Sequence, residues 1–294
     1  MISVLLTAYK EPNTIGKAIE SFQKQLSKND EILVAAPDEE TKKVILSYSK
    51  KDKRVKYVGD SAKGKPIALN ILFNKAKGGI LILSDGDVHV SYNAVTELLL
   101  PFRDTKIGAV TGRPISVNHR ENMLGYWSHL LTDIGAHETR LNLVKKGKFI
   151  VCSGYLFAMR KGIFKKVPED ALSDDAVISH FIWAKSFKIG YAPKALVYVK
   201  YPTTFSDWLK QKKRSAGGYW QIKQYVKNTP TMRSFSKETT GFFRIWKYPK
   251  TVKEIYWTGI LVFARLYLWA RILLNQKVRK ASFKQTWQRV ESTK

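Results

Sequence analysis

The 294-residue chain reads as an α/β protein: a mostly parallel sheet flanked by helices, followed by a C-terminal helical extension. Three observations predict this. Short apolar runs alternate with helical patterns through the first half of the chain. The fourth run ends in the acidic turn Ser84-Asp85-Gly86-Asp87. The last third is basic and rich in aromatic residues. Strands that alternate with helices build parallel sheets covered on both faces, and ligands collect at the carboxyl ends of such strands.

Ile2 to Tyr9 reads as the first strand, and Pro12 opens a helix carrying Ile15, Ala18, Ile19, Phe22 and Leu26 on one face. Glu31 to Ala36 is the second strand, Thr41 to Lys50 a helix, and Val55 to Val58 the third strand. Lys65 to Lys75 follows as a helix, Ile80 to Leu83 as the fourth strand, and Asn93 to Leu100 as a helix. Asn122 to Val144 predicts one long helix. Phe149 to Met159 reads as strand broken at Ser153-Gly154. Asp174-Asp175 precede a helix from Ala176 to Trp183, with Ser173 or Asp174 as its cap. Ile189 to Val199 reads as strand, and Thr203 to Trp220 as a basic helix interrupted at Gly217-Gly218.

Composition bounds the rest. Apolar residues make up 44% and aromatics 12%, enough for a large core. A single cysteine, Cys152, excludes an intrachain disulfide and a cysteine-rich metal site. The N-terminal residues carry no basic region before their apolar run, so no secretory signal is expected, which fits a cytoplasmic protein. The net charge is +27 and uneven: residues 201–294 hold 20 Lys and Arg against 4 Asp and Glu. Ile255 to Leu274 has the length of a membrane span, but Arg265 and Arg271 lie within it. Each costs about 2.5–3.5 kcal/mol near a bilayer centre. With Trp257, Tyr267 and Trp269, the segment suits a helix lying on an anionic membrane surface. The stretch from Arg233 to Tyr248 mixes bases and aromatics in the same way. A core or dimer-interface helix is the alternative. A nucleic-acid partner is not expected, because no helix-turn-helix, zinc-finger or RNA-recognition signature is present.

Two carboxylates leaving a buried strand one residue apart can hold Mg²⁺ or Mn²⁺ against a phosphate. In order and spacing the chain resembles the inverting family-2 glycosyltransferases near the polysaccharide-synthase branch. Thr7-Ala8-Tyr9-Lys10-Glu11 resembles the family's opening Ala-Tyr-Asn-Glu, with Lys10 where Asn is usual. Gly64 to Asn70 resembles its Gly-Lys-x-x-Ala-Leu-Asn element, and Asp85-Gly86-Asp87 its Asp-x-Asp. Ser173-Asp174-Asp175 stands where the family has Thr-Glu-Asp. Gln211-Lys212-Lys213-Arg214 resembles the start of Gln-x-x-Arg-Trp.

The resemblance implies a GT-A nucleotide-sugar-binding domain over residues 1–220; the basic, aromatic composition of residues 221–294 is what reads as a membrane-associating extension. It implies a metal-dependent enzyme, with Mn²⁺ or Mg²⁺ at Asp87 and Asp85. The donor, a UDP-sugar by family frequency, would contact Thr7, Ala8, Tyr9, Glu11, Lys65, Asn70, Asp85, Asp87 and Arg214. Asp175 would be the catalytic base, with Ser153, Gly154, Asp174 and Gln211 on the acceptor side. The acceptor would be lipid-linked or a saccharide, met at the cytoplasmic membrane face through the C-terminal region. A nucleotidyltransferase on a similar sheet, or a basic nucleic-acid-binding protein, is the competing class.

Two departures stand out. Strand two of many members ends in Asp-Asp-Gly-Ser, where an Asp contacts the base; here the run is Ala35-Ala36-Pro37-Asp38, which leaves the nucleotide open. Ser215 follows Arg214 where Trp would stand.

Overall fold

The structure, a computed structural model, describes residues 1–227, 230, 242–278 and 291–293. The stretch from Arg233 to Gly241 that the sequence marks as basic and aromatic lies outside the described residues, as do the side chains of Trp220, Phe242 and Phe243.

The frame is an eight-stranded mixed sheet. Its strands are β1 (Ile2–Thr7), β2 (Glu31–Ala36), β3 (Val55–Gly59), β4 (Ile80–Asp85), β5 (His89–Val90), β6 (Ile107–Ser116), β7 (Leu156–Arg160) and β8 (Lys188–Val199). They lie in the order β3-β2-β1-β4-β7-β6-β8-β5. β3, β2, β1 and β4 run parallel, with Leu5 of β1 between Leu33 of β2 and Leu83 of β4. β7 runs antiparallel between β4 and β6, β8 is parallel to β6, and the two-residue β5 closes the edge antiparallel to β8.

Side chains alternate across a strand, so a strand buried on both faces feeds two cores. Leu5, Leu33, Leu83 and Phe157 face one core, capped by α3 (Lys65–Lys75) and α7 (Asp174–Ala184). Val4, Leu6, Val34 and Ile82 face the other, capped by α1 (Ile15–Gln23), α2 (Glu39–Lys51) and α4 (Ala94–Leu99). On α1, Ile15, Ala18, Ile19 and Phe22 are all fully buried, which is the stripe that a period of 3.6 predicts. A third cluster joins α5 (Met123–Leu130), α8 (Phe205–Tyr225) and the long α9 (Val252–Val278) through Tyr126, Trp127, Trp208, Leu261 and Ala264.

Several sequence expectations change. α1 starts at Ile15 rather than Pro12, because the Glu11 carbonyl accepts from both Thr14 and Ile15 N–H and makes a turn of the segment between. The helix expected over 122–144 is broken: a π-helical segment, Leu131–Glu138, separates α5 from α6 (Thr139–Lys145). β7 begins only at Leu156; Phe149 to Cys152 are buried in the core outside any strand. Gly217-Gly218 do not interrupt α8, which continues through residue 220 to Tyr225. Gly218 is needed for packing instead, since a Cβ there would lie 2.6 Å from Ser173 Cβ.

α9 packs one face on the protein, as the core-helix alternative expects, and leaves the other exposed. Glu254, Thr258, Leu261, Ala264 and Leu268 turn inward, while Ile255, Tyr256, Phe263, Leu266 and Tyr267 remain exposed. Arg120 docks its N-terminal end: Nε donates to Glu254 Oε1 at 2.7 Å and the guanidinium lies 4.8 Å above the Tyr248 ring. Among the described residues, no helix is long and apolar enough to cross a membrane.

Candidate active site

β1 is flanked by β2 on one side and β4 on the other, which opens a crevice at their carboxyl ends. A cavity of about 1250 Å³ occupies that end of the sheet. Thr7, Ala8, Tyr9, Glu11, Lys65, Asp85, Asp87, Ser153, Gly154, Asp174, Asp175, Gln211 and Arg214 all line it. Residues far apart in sequence thus line one cavity.

The acidic turn is shaped by its glycine. Asp85 pairs with Thr7 as the last residue of β4, and Gly86 N–H donates to the Thr7 carbonyl at 2.9 Å. A Cβ on Gly86 would stand 2.6 Å from Glu11 Oε2 and 2.7 Å from Ala8 Cβ, so only glycine lets the turn lie against the end of β1. Glu11 is buried there, and its N–H donates to Thr41 Oγ1 at 2.8 Å.

Lys65 ties the two acidic clusters together. It opens α3 behind Gly64, whose φ of 111° only glycine adopts without strain. Its Nζ lies 2.7 Å from Asp85 Oδ1 and 3.4 Å from Asp174 Oδ2. Burial pushes the Lys65 pKa down, but Asp174 and Asp85 more than offset this, and the ammonium is held charged well above its ordinary range. Burial pushes the Asp174 carboxyl up; Lys65 opposes the shift, while Asp175 and Asp85 reinforce it.

Asp175 is held at the start of α7. Its Oδ1 accepts from Ser173 Oγ at 2.6 Å and from Ala176 N–H at 2.8 Å, and its Oδ2 accepts from Gly154 N–H at 3.0 Å. Ser173 holds the N-cap position but spends its hydroxyl on Asp175 rather than on the helix end. A Cβ on Gly154 would sit 3.3 Å from Asp175 Oδ2, so the missing side chain leaves that oxygen's cavity side clear. Ser153 is positioned through its N–H, which donates to Thr111 Oγ1 at 2.8 Å.

Asn70 is not brought to the cavity. Its amide donates to the Val167 carbonyl at 2.9 Å and accepts from Val167 N–H at 2.8 Å, clasping α3 to the segment before α7. Asp38, the acid nearest the end of β2, is also committed. It accepts from Thr41 N–H at the start of α2 and from Lys10 N–H at 2.7 Å. Burial raises its pKa and those N–H groups more than reverse the shift, leaving it low.

Sequence reasoning missed two residues. Tyr155 lines the cavity with its hydroxyl 3.4 Å from Gln211 Nε2, and burial with Asp87 and Asp85 nearby pushes its phenol up against the opposing Arg214. Its place directly after Ser153-Gly154 was the available signal. Asp60 follows the last residue of β3; the strand-end rule applied to that strand finds it. The histidines behave as expected: His180 is a core residue against the Phe149 ring, its pKa lowered to about 4 by burial. Cys152 is likewise inert, its thiol pushed up to about 12 by burial.

The donor set fits a hard divalent ion. Asp85, Asp87, Asp174 and Asp175 all line the cavity, while among the described residues no three metal-binding side chains cluster closely enough to hold an ion by themselves. Mg²⁺ and Mn²⁺ are commonly held by one or two carboxylates and completed by substrate phosphates and water.

Comparison with known proteins agrees with this geometry. The chain is 26% identical to the Probable glycosyltransferase YdaM of Bacillus subtilis over 76% of its own length and 56% of that protein. It is 26% identical to the poly-beta-1,6-N-acetyl-D-glucosamine synthase of Staphylococcus epidermidis, over 75% of its own length and 55% of that protein. The chain therefore spans about half the length of these curated relatives. Among solved structures, the mannosyltransferase PcManGT from Pyrobaculum calidifontis, in complex with GDP-Man and Mn²⁺, superposes with a TM-score of 0.63 at 14% identity, covering 97% of this chain and 82% of that one. TarS from S. aureus, in complex with UDP-GlcNAc, gives 0.55 at 13% identity, over 84% of this chain and 71% of that one. These likenesses establish the GT-A fold. Residues 3–168 match the model described as Glycosyl transferase family 2, and the chain belongs to that family.

Proposed function

We propose that the protein transfers a sugar, with inversion, from a nucleotide-sugar of the UDP class to a lipid-linked or saccharide acceptor at the cytoplasmic membrane face. The observation that carries this is a single cavity lined both by the Asp85-Gly86-Asp87 turn and by Asp175, whose carboxylate is held by three donors beside an open glycine. The acceptor hydroxyl oxygen attacks the anomeric carbon while its proton passes to the Asp175 carboxylate. The bond from that carbon to the diphosphate oxygen breaks, and its electron pair leaves with the nucleoside diphosphate. Asp87 and Asp85 would hold Mn²⁺ or Mg²⁺, which supplies countercharge for that leaving group. Lys65 and Arg214 add positive charge to the same cavity. The named complexes of two structural neighbours, with GDP-Man and Mn²⁺ and with UDP-GlcNAc, support a nucleotide-sugar donor and a divalent ion.

Residues 1–220 serve as the catalytic domain in this reading, and residues 221–294 as the membrane-associating extension. The outward row Ile255, Tyr256, Phe263, Leu266 and Tyr267, together with the basic excess of the last third, supports contact with anionic lipid.

The test is a thermal-shift comparison of UDP-, GDP- and dTDP-sugars with and without Mn²⁺, on the wild type and on Asp87→Ala. Ligands that bind the folded state raise the apparent melting temperature. A Mn²⁺-dependent rise with UDP-sugars, absent in Asp87→Ala, is expected. A rise of equal size in Asp87→Ala would remove the acidic turn from the donor site.

A further inference from the structure

The cavity does not end at the carboxylates. Its volume of about 1250 Å³ exceeds the roughly 300–1,000 Å³ of a site for one small ligand. A second part of its lining comes from the π-helical segment and from α9. On α9 the lining includes Val262, Arg265, Leu266 and Trp269, at the i, i+3, i+4, i+7 spacing of one helix stripe. The neighbouring stripe, Leu261, Ala264 and Leu268, is buried against the protein. α9 thus uses one apolar stripe for packing and turns a second toward the cavity. The π-helical segment adds Leu131, Ile134 and Gly135. Leu266 is 49% exposed as well as lining the cavity, so this arm reaches the surface on the side of α9 that carries Phe263 and Tyr267. No acid is among the described residues of α9 and the π-helical segment that line it, whereas Arg265 is. Arg140, whose Nε donates to the Val151 carbonyl at 3.1 Å, and Arg244, paired with Glu138, line the cavity too. An apolar stripe left facing water forgoes the gain of burial, and an apolar chain entering the arm recovers it.

We infer that this arm holds the chain of a lipid-linked saccharide, the acceptor. Arg265 and Arg140 supply the charge for an anionic phosphate link between chain and sugar, and the sugar hydroxyl reaches Asp175. This rests on the transfer reading above and deepens it by choosing the lipid-linked class over a free saccharide. The bonds are those already given: the hydroxyl oxygen joins the anomeric carbon, its proton passes to Asp175, and the nucleoside diphosphate leaves with the electron pair. The stripe from Val262 to Trp269 rises about 10 Å along the helix, so it covers the part of a long chain nearest the head and leaves the rest to the membrane. Shape selects the occupant. A second copy of this chain could cover the outward row of α9, but only a narrow, flexible chain follows a stripe that lines a concavity.

The experiment is calorimetric titration of inorganic phosphate and of butyl, hexyl, octyl and decyl phosphate, each below its micelle concentration and with no bilayer present. The proteins are wild type, Gly135→Phe and Leu266→Glu. Wild type is expected to gain up to about fourfold in affinity for each methylene added. Gly135→Phe should flatten that series. A Cβ at Gly135 would meet only Leu131 Cδ2, at 3.9 Å, so the ring enters the open arm without displacing backbone. Leu266→Glu should weaken decyl phosphate about tenfold, and its half-exposed position keeps the test decisive if the Phe variant does not fold. Decyltrimethylammonium, with the same chain and the opposite charge, should bind about tenfold weaker than decyl phosphate. A series with no dependence on chain length, or one unchanged in the folded variants, would overturn the inference. Equal affinity for decyltrimethylammonium would overturn the anionic link. A wild type that binds none of the series and sediments as a dimer would give the face to a second copy instead. UDP with Mn²⁺, titrated into the same preparations, reports the donor site separately. Bound UDP with a flat chain series overturns this inference and leaves the transfer reading standing. A graded chain series without UDP binding supports the arm and overturns the donor reading.

Discussion

At the scale of single residues, the roles separate by what each side chain is bonded to. Asp175 has its donors arranged by Ser173, Ala176 and Gly154, so its carboxylate is oriented before any substrate arrives. Asp175→Asn keeps the shape and removes the base that the proposed mechanism requires. We expect kcat to fall about 10²–10⁴-fold, the usual worth of a positioned proton acceptor, while donor affinity measured by titration holds. Near-normal turnover in this variant would take the role away from Asp175. A second residue-scale expectation concerns acid. Arg54 holds Asp52 low; Arg120 does the same for Glu254. Burial raises Glu31, but Lys56, the Lys77 N–H and Ser3 more than reverse it. All three are depressed in the folded state. Their contribution is therefore complete above the ordinary carboxylate range and is lost as pH falls through the folded values. Melting temperature followed from neutral pH downward should drop in acid, and Glu31→Gln should flatten the drop. The raised carboxyls of Asp60 and Asp174 act in the opposite direction.

Between elements, close approach sets where the candidate site residues lie. α8 carries Gln211 and Arg214 and can rest against the Ser173-Asp174-Asp175 turn because residue 218 has no side chain. Gly218→Ala sets two effects against each other. Alanine favours a helix by about 0.8–1.0 kcal/mol over glycine, whereas its Cβ would meet Ser173 Cβ at 2.6 Å. We expect transfer activity to fall because α8 must move off the turn; a variant both more stable and fully active would show that this contact does not position the site. The turn after β4 has the same logic. Gly86→Ala drives a methyl into Glu11 and Ala8, an overpacking that costs about 1–3 kcal/mol and that urea unfolding would register.

Across the whole molecule, the catalytic sheet and α9 are joined through α5 and α8. Arg120 carries much of this joint: it pairs with Glu254 through two nitrogens and stacks on Tyr126 and Tyr248. Glu254→Gln should speed amide exchange along the first turns of α9 while the β1–β4 core keeps its protection. The exposed face of α9 gives a separate test. Sedimentation with vesicles rich in anionic lipid should carry the protein down at low salt and release it at high salt, and Phe263→Glu with Tyr267→Glu should weaken the binding. Binding indifferent to both changes would argue for a different surface.

The sequence by itself determined the α/β alternation, because each strand and helix of the first half carries its own period and its own punctuation. α3 lies at Lys65–Lys75 and β2 at Glu31–Ala36, as the pattern predicts. It also supplied the acidic turn and Asp174-Asp175, because those motifs are local. Only the tertiary structure decided what depends on residues distant in the chain. It kept α8 continuous through Gly217-Gly218, because a neighbouring turn needed the space more than the helix needed a side chain. It drew Asn70 away to Val167 and Asp38 to Lys10, because the nearest donor and acceptor take a polar group regardless of its motif. It placed Asp60 beside Pro37, because the register of β2 against β3 is set by the packing of two cores and is written in neither strand alone.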